Sequence, residues 1–183
     1  LAVRGERVFK VGLLYSSTGT YSSYGATRPV TAQWLIEHEN NMTSGCLQRL
    51  GIRLELHVRE VQSDASLVAS HTNDLVHNER VSYLMGAEGV LGIRSAEIAG
   101  QRDVALCLPM DATDSTYLVG EDIRRRRYPH VFSPMTPGSR YFSAFYRLAA
   151  EKGAKRLAII YPEDSRTMSY FWIGYGSLDE AID

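Results

Sequence analysis

Hydroxyls and glycine crowd the stretch Ser16-Ser17-Thr18-Gly19-Thr20, directly after the apolar run from Val8 to Leu14. A loop of this kind offers hydroxyls and unpaired backbone N–H groups to a small polar molecule. No base stands beside a nucleophile, so the chemistry it suits is hydrogen-bonded capture, not covalent attack. Other polar loops follow later apolar runs: Gln62 to Asp64, Gly86 to Gly89, Pro109 to Asp114 and Tyr161 to Ser165. Catalytic motifs are missing. The chain has no GxSxG, HExxH or P-loop, and no GxGxxG after its first apolar run. The stretch Gly86 to Gly92 (GAEGVLG) is rich in glycine but lacks the lysine of a phosphate cradle. His38, His57, His77 and His130 show no metal-ligand spacing, and His71 falls on an apolar helix face as a core or boundary residue. No cofactor is expected.

These loops need strands to present them. Val8 to Leu14 has no polar alternation, which predicts a strand buried on both faces of a parallel sheet. Thr27-Arg28-Pro29 predicts a helix start with Thr27 as N-cap, and Val30, Trp34 and Leu35 as the apolar stripe. Ile52 to Val61 alternates strictly, which predicts a half-exposed strand. Ser63-Asp64 is placed to cap a helix whose core face is Leu67, Val68, His71, Leu75 and Val76. A strand at 81–85, a helix at 93–102 and a strand at 104–108 follow. The order βαβαβαβ with short connections predicts a doubly wound α/β layer with a mostly parallel sheet. In such sheets ligands bind beyond the carboxyl ends of the strands, where all these loops lie. The segment 111–130 reads as a long irregular connection, and its run Arg124 to Arg127 as a solvated loop. A short strand at 131–133, a helix from Ser139 to about Gly153 bearing Tyr141, Phe142, Phe145, Tyr146 and Leu148, and a strand at 156–161 complete the pattern.

A chain of 183 residues suffices for one domain, or for a domain and a fragment. The formal net charge of −1 argues against a nucleic-acid partner, whose footprint is basic. No apolar stretch approaches the ~18 residues that span a bilayer. Two cysteines, Cys46 and Cys107, are too few for a disulfide scaffold or a zinc site. They could form one disulfide, while Cys107 inside an apolar run reads as a buried thiol. Asn41-Met42-Thr43 is an N-glycosylation sequon.

The opening stretch resembles the type I periplasmic binding proteins, the branched-chain amino acid and amide receptor family. The resemblance rests on the first strand, Ser16, Ser17-Thr18-Gly19 and the aromatic-glycine pair Tyr24-Gly25, and extends with decreasing clarity to about Tyr161. It implies two lobes closing on a solute. Residues 1–133 would be lobe 1, and 134–183 the hinge exit and first β-α unit of a truncated lobe 2, in a protein roughly twice as long. The implied ligand contacts are Ser17 and Thr18, Tyr24 as a wall, Glu88 and Gly89 in the loop that holds a ligand carboxylate, and Asp111, Ala112 and Thr113. Here Ala112-Thr113 matches the pair that takes a ligand's amino group and carboxylate, shifted by one residue.

Where the family carries a serine pair, this chain has Gly89 and Val90, with Glu88 beside them. A ligand carboxylate about 4 Å from Glu88 would meet a repulsion of order 4 kcal/mol at an effective dielectric near 20. Asp64, Asp111 and Asp114 are expected on the same rim. The solute would then be neutral or cationic, or Glu88 would point to solvent, or the site would be vestigial. The implied function is extracytoplasmic binding of an amino acid, amide or amine, without catalysis. The implied partners are an ABC permease or a receptor signalling domain, with a homodimer through the lobe 1 helices as a further possibility. The alternative is a degenerate module kept for protein–protein contact.

Overall fold

The computed structural model describes residues 7–111, 116, 118–119, 122–136, 140–156 and 158. In chain order its strands are β1 (Arg7–Tyr15), β2 (Ile52–Glu60), β3 (Tyr83–Met85), β4 (Ala105–Cys107), β5 (Leu118–Val119), β6 (Asp122–Arg126) and β7 (Val131–Phe132). Its helices are α1 (Ser22–Gly25), α2 (Arg28–Asn41), α3 (Cys46–Leu50), α4 (Ala65–Asn73), α5 (Gly92–Gly100) and α6 (Ser143–Glu151). Five strands form one sheet in the order β2-β1-β3-β4-β7, with every neighbouring pair parallel. Connections out of β1 lead first to β2 on one side and then to β3 on the other, so the strand order reverses at β1.

Helices cover both faces of this sheet. On one face Leu14, Leu84 and Leu106 pack with Val68 of α4, Leu75 of the helical turn that follows it (Asp74–Asn78) and Ala96 and Ala99 of α5, all buried. On the other, Val11, Leu13, Tyr83 and Met85 lie under α2 and line a cavity of about 530 Å³. The doubly wound α/β architecture is therefore observed. β1 is not buried throughout: Val8 and Phe9 are exposed, and burial sets in at Val11. The reason is register, since β3 pairs only with Val11, Gly12 and Leu13.

α2 corrects a second expectation. Val30, Trp34 and Leu35 are 74%, 61% and 47% exposed, whereas Ala32 and Ile36 are buried. Asn40 sets this rotation. Its Nδ2 donates to the Leu54 carbonyl and its Oδ1 accepts from the Leu54 N–H, both at 2.9 Å. Those two bonds to β2 hold the Ala32–Ile36 side inward, and Trp34 stacks on His38 instead. Thr27 precedes the helix but makes no side-chain cap bond. Asn41, the sequon asparagine, is exposed at the helix end.

Other departures are local. α3 forms inside the expected loop and stops at Gly51. β5 and β6 pair antiparallel within the expected irregular connection, and β6 carries Arg124 to Arg126. α6 starts at Ser143, just after the exposed Phe142, and on it Tyr146 is buried while Phe145 and Leu148 are exposed. Ser139 and most of the strand expected at 156–161 lie outside the described residues. Both cysteines are free, Cys46 exposed and Cys107 half-buried. Among the described residues no helix is long and apolar enough to cross a membrane.

The helix start at Asp64 is as expected. Asp64 Oδ1 accepts from the Ser66 N–H at 2.7 Å and from the Ser66 hydroxyl at 2.6 Å. Bonding to Ser66 holds the Asp64 carboxyl below its ordinary value of 3.8. A depressed carboxyl stabilises fully above its ordinary value, and that contribution disappears as pH falls through the folded value. Asp64→Asn should therefore flatten the loss of stability below about pH 4 while leaving a competent cap. Unfolding midpoints of both proteins between neutral and acid pH check this. Parallel curves would rule the cap out as an acid-sensitive element.

Candidate functional site

The loops after β1, β2 and β3 come together at the carboxyl end of the sheet, tied by side chains. Ser16, the first residue after β1, is fully buried. Its Oγ donates to Glu88 Oε2 at 3.1 Å and accepts from the Ser63 N–H at 3.0 Å. Ser63 Oγ in turn donates to the Thr18 carbonyl at 2.8 Å and accepts from the Tyr21 N–H at 3.0 Å. Ser63 reaches all three partners because Gln62 and Ser63 both adopt positive φ, 50° and 57°. Non-glycine residues rarely hold that conformation, and it marks stored strain in the turn.

Glu88 belongs to this network and corrects the sequence reading. It is fully buried, neither an open rim charge nor a solvated one. Arg28 Nη1 lies 2.6 Å from Glu88 Oε1, and Arg28 Nη2 donates to the Gly86 carbonyl at 2.9 Å. The carboxylate is thus neutralised by a charge-assisted bond on one oxygen and a hydroxyl on the other. Next to it, Gly89 has φ +54, and a Cβ there would meet the Tyr21 ring at 2.8 Å. A side chain there would be strained by the backbone and would have to displace that ring.

The remaining candidates fall as follows. Ser17 is exposed, and its N–H donates to Glu60 Oε1 at 3.2 Å while its hydroxyl bonds the same oxygen. Thr18 is exposed beside it, and Tyr24 is 46% exposed on α1. Asp111 is buried, with its carboxylate close to Gly92 at the start of α5, so it presents no open charge to the rim. Ala112, Thr113 and Asp114 lie outside the described residues. Ser17, Thr18, Glu88 and Gly89 are thus joined in one connected rim, with Tyr24 adjacent through Gly25, whose backbone abuts Ser16.

Two contributors escaped the sequence reading, Arg28 and Glu60, while Ser63 lies in the 62–64 loop expected on the rim and was read there as a helix cap. Arg28 left a signal. It occupies the first position of α2, where a cation opposes the helix dipole and acidic residues are favoured. A basic residue there needs a partner elsewhere. Among the described residues no group of His, Cys, Asp and Glu could hold a metal ion. A second cavity, about 640 Å³, opens at the other end of the sheet between Val8, Lys10 and the 77–82 turn, away from this rim.

No curated protein sequence matches the chain. Among solved structures, one similar fold is a leucine-binding protein from Thermotoga maritima, with TM-score 0.68 and 18% identity, over 94% of this chain and 46% of that one. Another is an ABC transporter substrate-binding protein from Desulfitobacterium hafniense in complex with Leu, with TM-score 0.70 and 16% identity, over 96% and 48%. A third is an ABC transporter solute-binding protein from Rhodopseudomonas palustris BisB5 in complex with 3,4-dihydroxybenzoic acid, with TM-score 0.69 and 16% identity, over 95% and 44%. The chain therefore spans about half the length of these structures, and at such identity they share its fold. The family model described as "Periplasmic binding protein" matches residues 8–169, most of the chain and all of the rim described above. With its parallel sheet, its reversal of strand order at β1 and its polar rim at that point, the chain belongs to the periplasmic binding protein family.

Proposed function

We propose that this chain forms one wall of a cleft that reversibly captures a small polar solute outside the cytoplasm, without catalysis. Residues 1–133 serve as lobe 1, and 134–183 as the hinge exit and start of lobe 2. The observation that carries the reading is the rim itself. Three loops from successive strands are pinned together by Ser16, Ser63 and Glu88, leaving Thr18 and Tyr24 exposed beside them. Ser17, Thr18, Tyr24 and Gly89 are the proposed contacts, with Ala112 and Thr113 completing the set from the loop after β4.

Solute chemistry follows from charge. Because Arg28 compensates Glu88, the repulsion expected of a bare carboxylate no longer opposes an anionic ligand. Amino acids and small carboxylic acids join amides and amines as reasonable solutes. Delivery to an ABC permease fits this reading, and so does sensing by a receptor ectodomain.

A thermal-shift screen of the intact protein tests it, with L-leucine, 3,4-dihydroxybenzoate, amides, urea analogues and polyamines. A ligand at 100-fold its dissociation constant adds about 2.7 kcal/mol of stability. We expect one class to shift the midpoint and the shift to vanish in Thr113→Ala. A flat response across the panel would sink the proposal. A second reading, a module kept for contact with another copy of this chain, draws on the outward Val30, Trp34 and Leu35 of α2. A dimer in solution that dissociates on Trp34→Glu would favour it.

A further inference from the structure

We infer that Arg28 and Glu88 are positioning residues for the solute rim, acting through Ser16 and not by touching solute. The inference rests on the solute-binding reading and adds to it the device that sets the spacing of the rim loops. Four segments meet at this pair. Arg28 comes from the start of α2, Glu88 and Gly86 from the loop after β3, Ser16 from the loop after β1, and Ser63 from the turn after β2. Arg28 spans two acceptors on one loop, Glu88 Oε1 at 2.6 Å and the Gly86 carbonyl at 2.9 Å. A planar guanidinium holds two such acceptors at a fixed separation, whereas an ammonium is a single point charge on a flexible stem. The second carboxylate oxygen of Glu88 then fixes the Ser16 hydroxyl, and that hydroxyl receives the Ser63 N–H. Ser63 passes the constraint on to Thr18 and Tyr21. The order runs from a buried charge pair outward to exposed groups, which is how a site on loops acquires fixed geometry.

The arrangement separates position from stability. If the pair only glued the domain together, weakening it would loosen rim and core alike. If it positions the rim, a change that keeps the charge but loses the fork loosens the rim selectively, because the core around Leu14 and Leu84 is held by apolar packing.

Hydrogen exchange on the intact protein decides between these, comparing wild type with Arg28→Lys, and with Glu88→Gln should the lysine variant not fold. The expected result is about tenfold faster exchange at the Tyr21 and Ser63 amides, with the Val11 to Leu14 amides unchanged. Equal acceleration of rim and core, or no change in either, would overturn the inference. The same proteins are titrated with L-leucine and 3,4-dihydroxybenzoate by calorimetry. Weaker binding by Arg28→Lys than by wild type, both titrated well below their unfolding midpoints, is expected for whichever probe binds wild type. If neither probe binds wild type, the solute reading loses support for these two ligands, while the exchange result still decides the positioning claim.

Discussion

Arg28→Ala will destabilise the protein by about 3–5 kcal/mol, the range for removing one partner of a buried ion pair. The asymmetry of burial sets the order within the pair. Glu88 is fully buried and the Arg28 side chain is 15% exposed. Loss of Arg28 strands a carboxylate that water cannot reach. Loss of Glu88 strands a guanidinium that can turn partly outward, so Glu88→Ala will cost less. Arg28→Ala also strips the Gly86 carbonyl of its donor, and an unmet buried acceptor adds about 1–3 kcal/mol at most. Replacing both residues with apolar ones, as in Arg28→Met with Glu88→Leu, should recover much of the loss, because a buried pair gains little over good packing. Denaturant unfolding of wild type, Arg28→Ala, Glu88→Ala and the double alanine variant completes a double-mutant cycle, with the Met/Leu pair measured beside it. A cost below about 1 kcal/mol for Arg28→Ala would place the pair among exposed bridges of little worth.

The pair also explains what a sequence can and cannot reveal here. The strands at β1, β3 and β4 were legible because short, mainly apolar runs, broken only by Lys10 and Ser82, end at glycine, proline or hydroxyl loops. The cap at Asp64 was legible because its partner, Ser66, is two residues away. Glu88 was misjudged because its partner is 60 residues away in sequence, and nothing local announces a pair that the fold alone creates. The same holds for α2. Val30, Trp34 and Leu35 looked like a core stripe, yet rotation was settled by Asn40 bonding to Leu54 across the sheet. Apolar residues lie on several sides of that helix, so periodicity alone did not choose a face. The β5–β6 pair lacked any strong alternation, and short antiparallel strands of this kind are the weakest signal in a sequence. Of the rim, the hydroxyl loop was evident from its composition. The network beneath it was not, because Ser16, Ser63 and Arg28 are ordinary residues until topology brings them together.

Gly25→Ala will be the most damaging small substitution in the opening motif, costing about 3 kcal/mol and abolishing solute binding. A Cβ on Gly25 would sit 2.2 Å from the Ser16 carbonyl oxygen, 2.7 Å from its nitrogen and 2.8 Å from Glu88 Oε1. Two of those atoms are backbone, and no side-chain rotation relieves them. Either α1 must lift away from the loop after β1, or Ser16 must move and break its bonds to Glu88 and Ser63. Overpacking ordinarily costs about 1–3 kcal/mol, and the upper end applies where the neighbour is main chain. Tyr24, one residue earlier, provides the contrast. It is 46% exposed, so Tyr24→Ala should change stability by no more than about 0.5 kcal/mol while weakening capture of solute. Unfolding midpoints and calorimetric titration of both variants separate the roles. A large stability loss for Gly25→Ala beside a binding loss alone for Tyr24→Ala would assign the glycine to holding the rim and support the tyrosine as a proposed solute contact. Equal stability losses would contradict that division, and a wild-type midpoint for Gly25→Ala would show that α1 does not pack against Ser16.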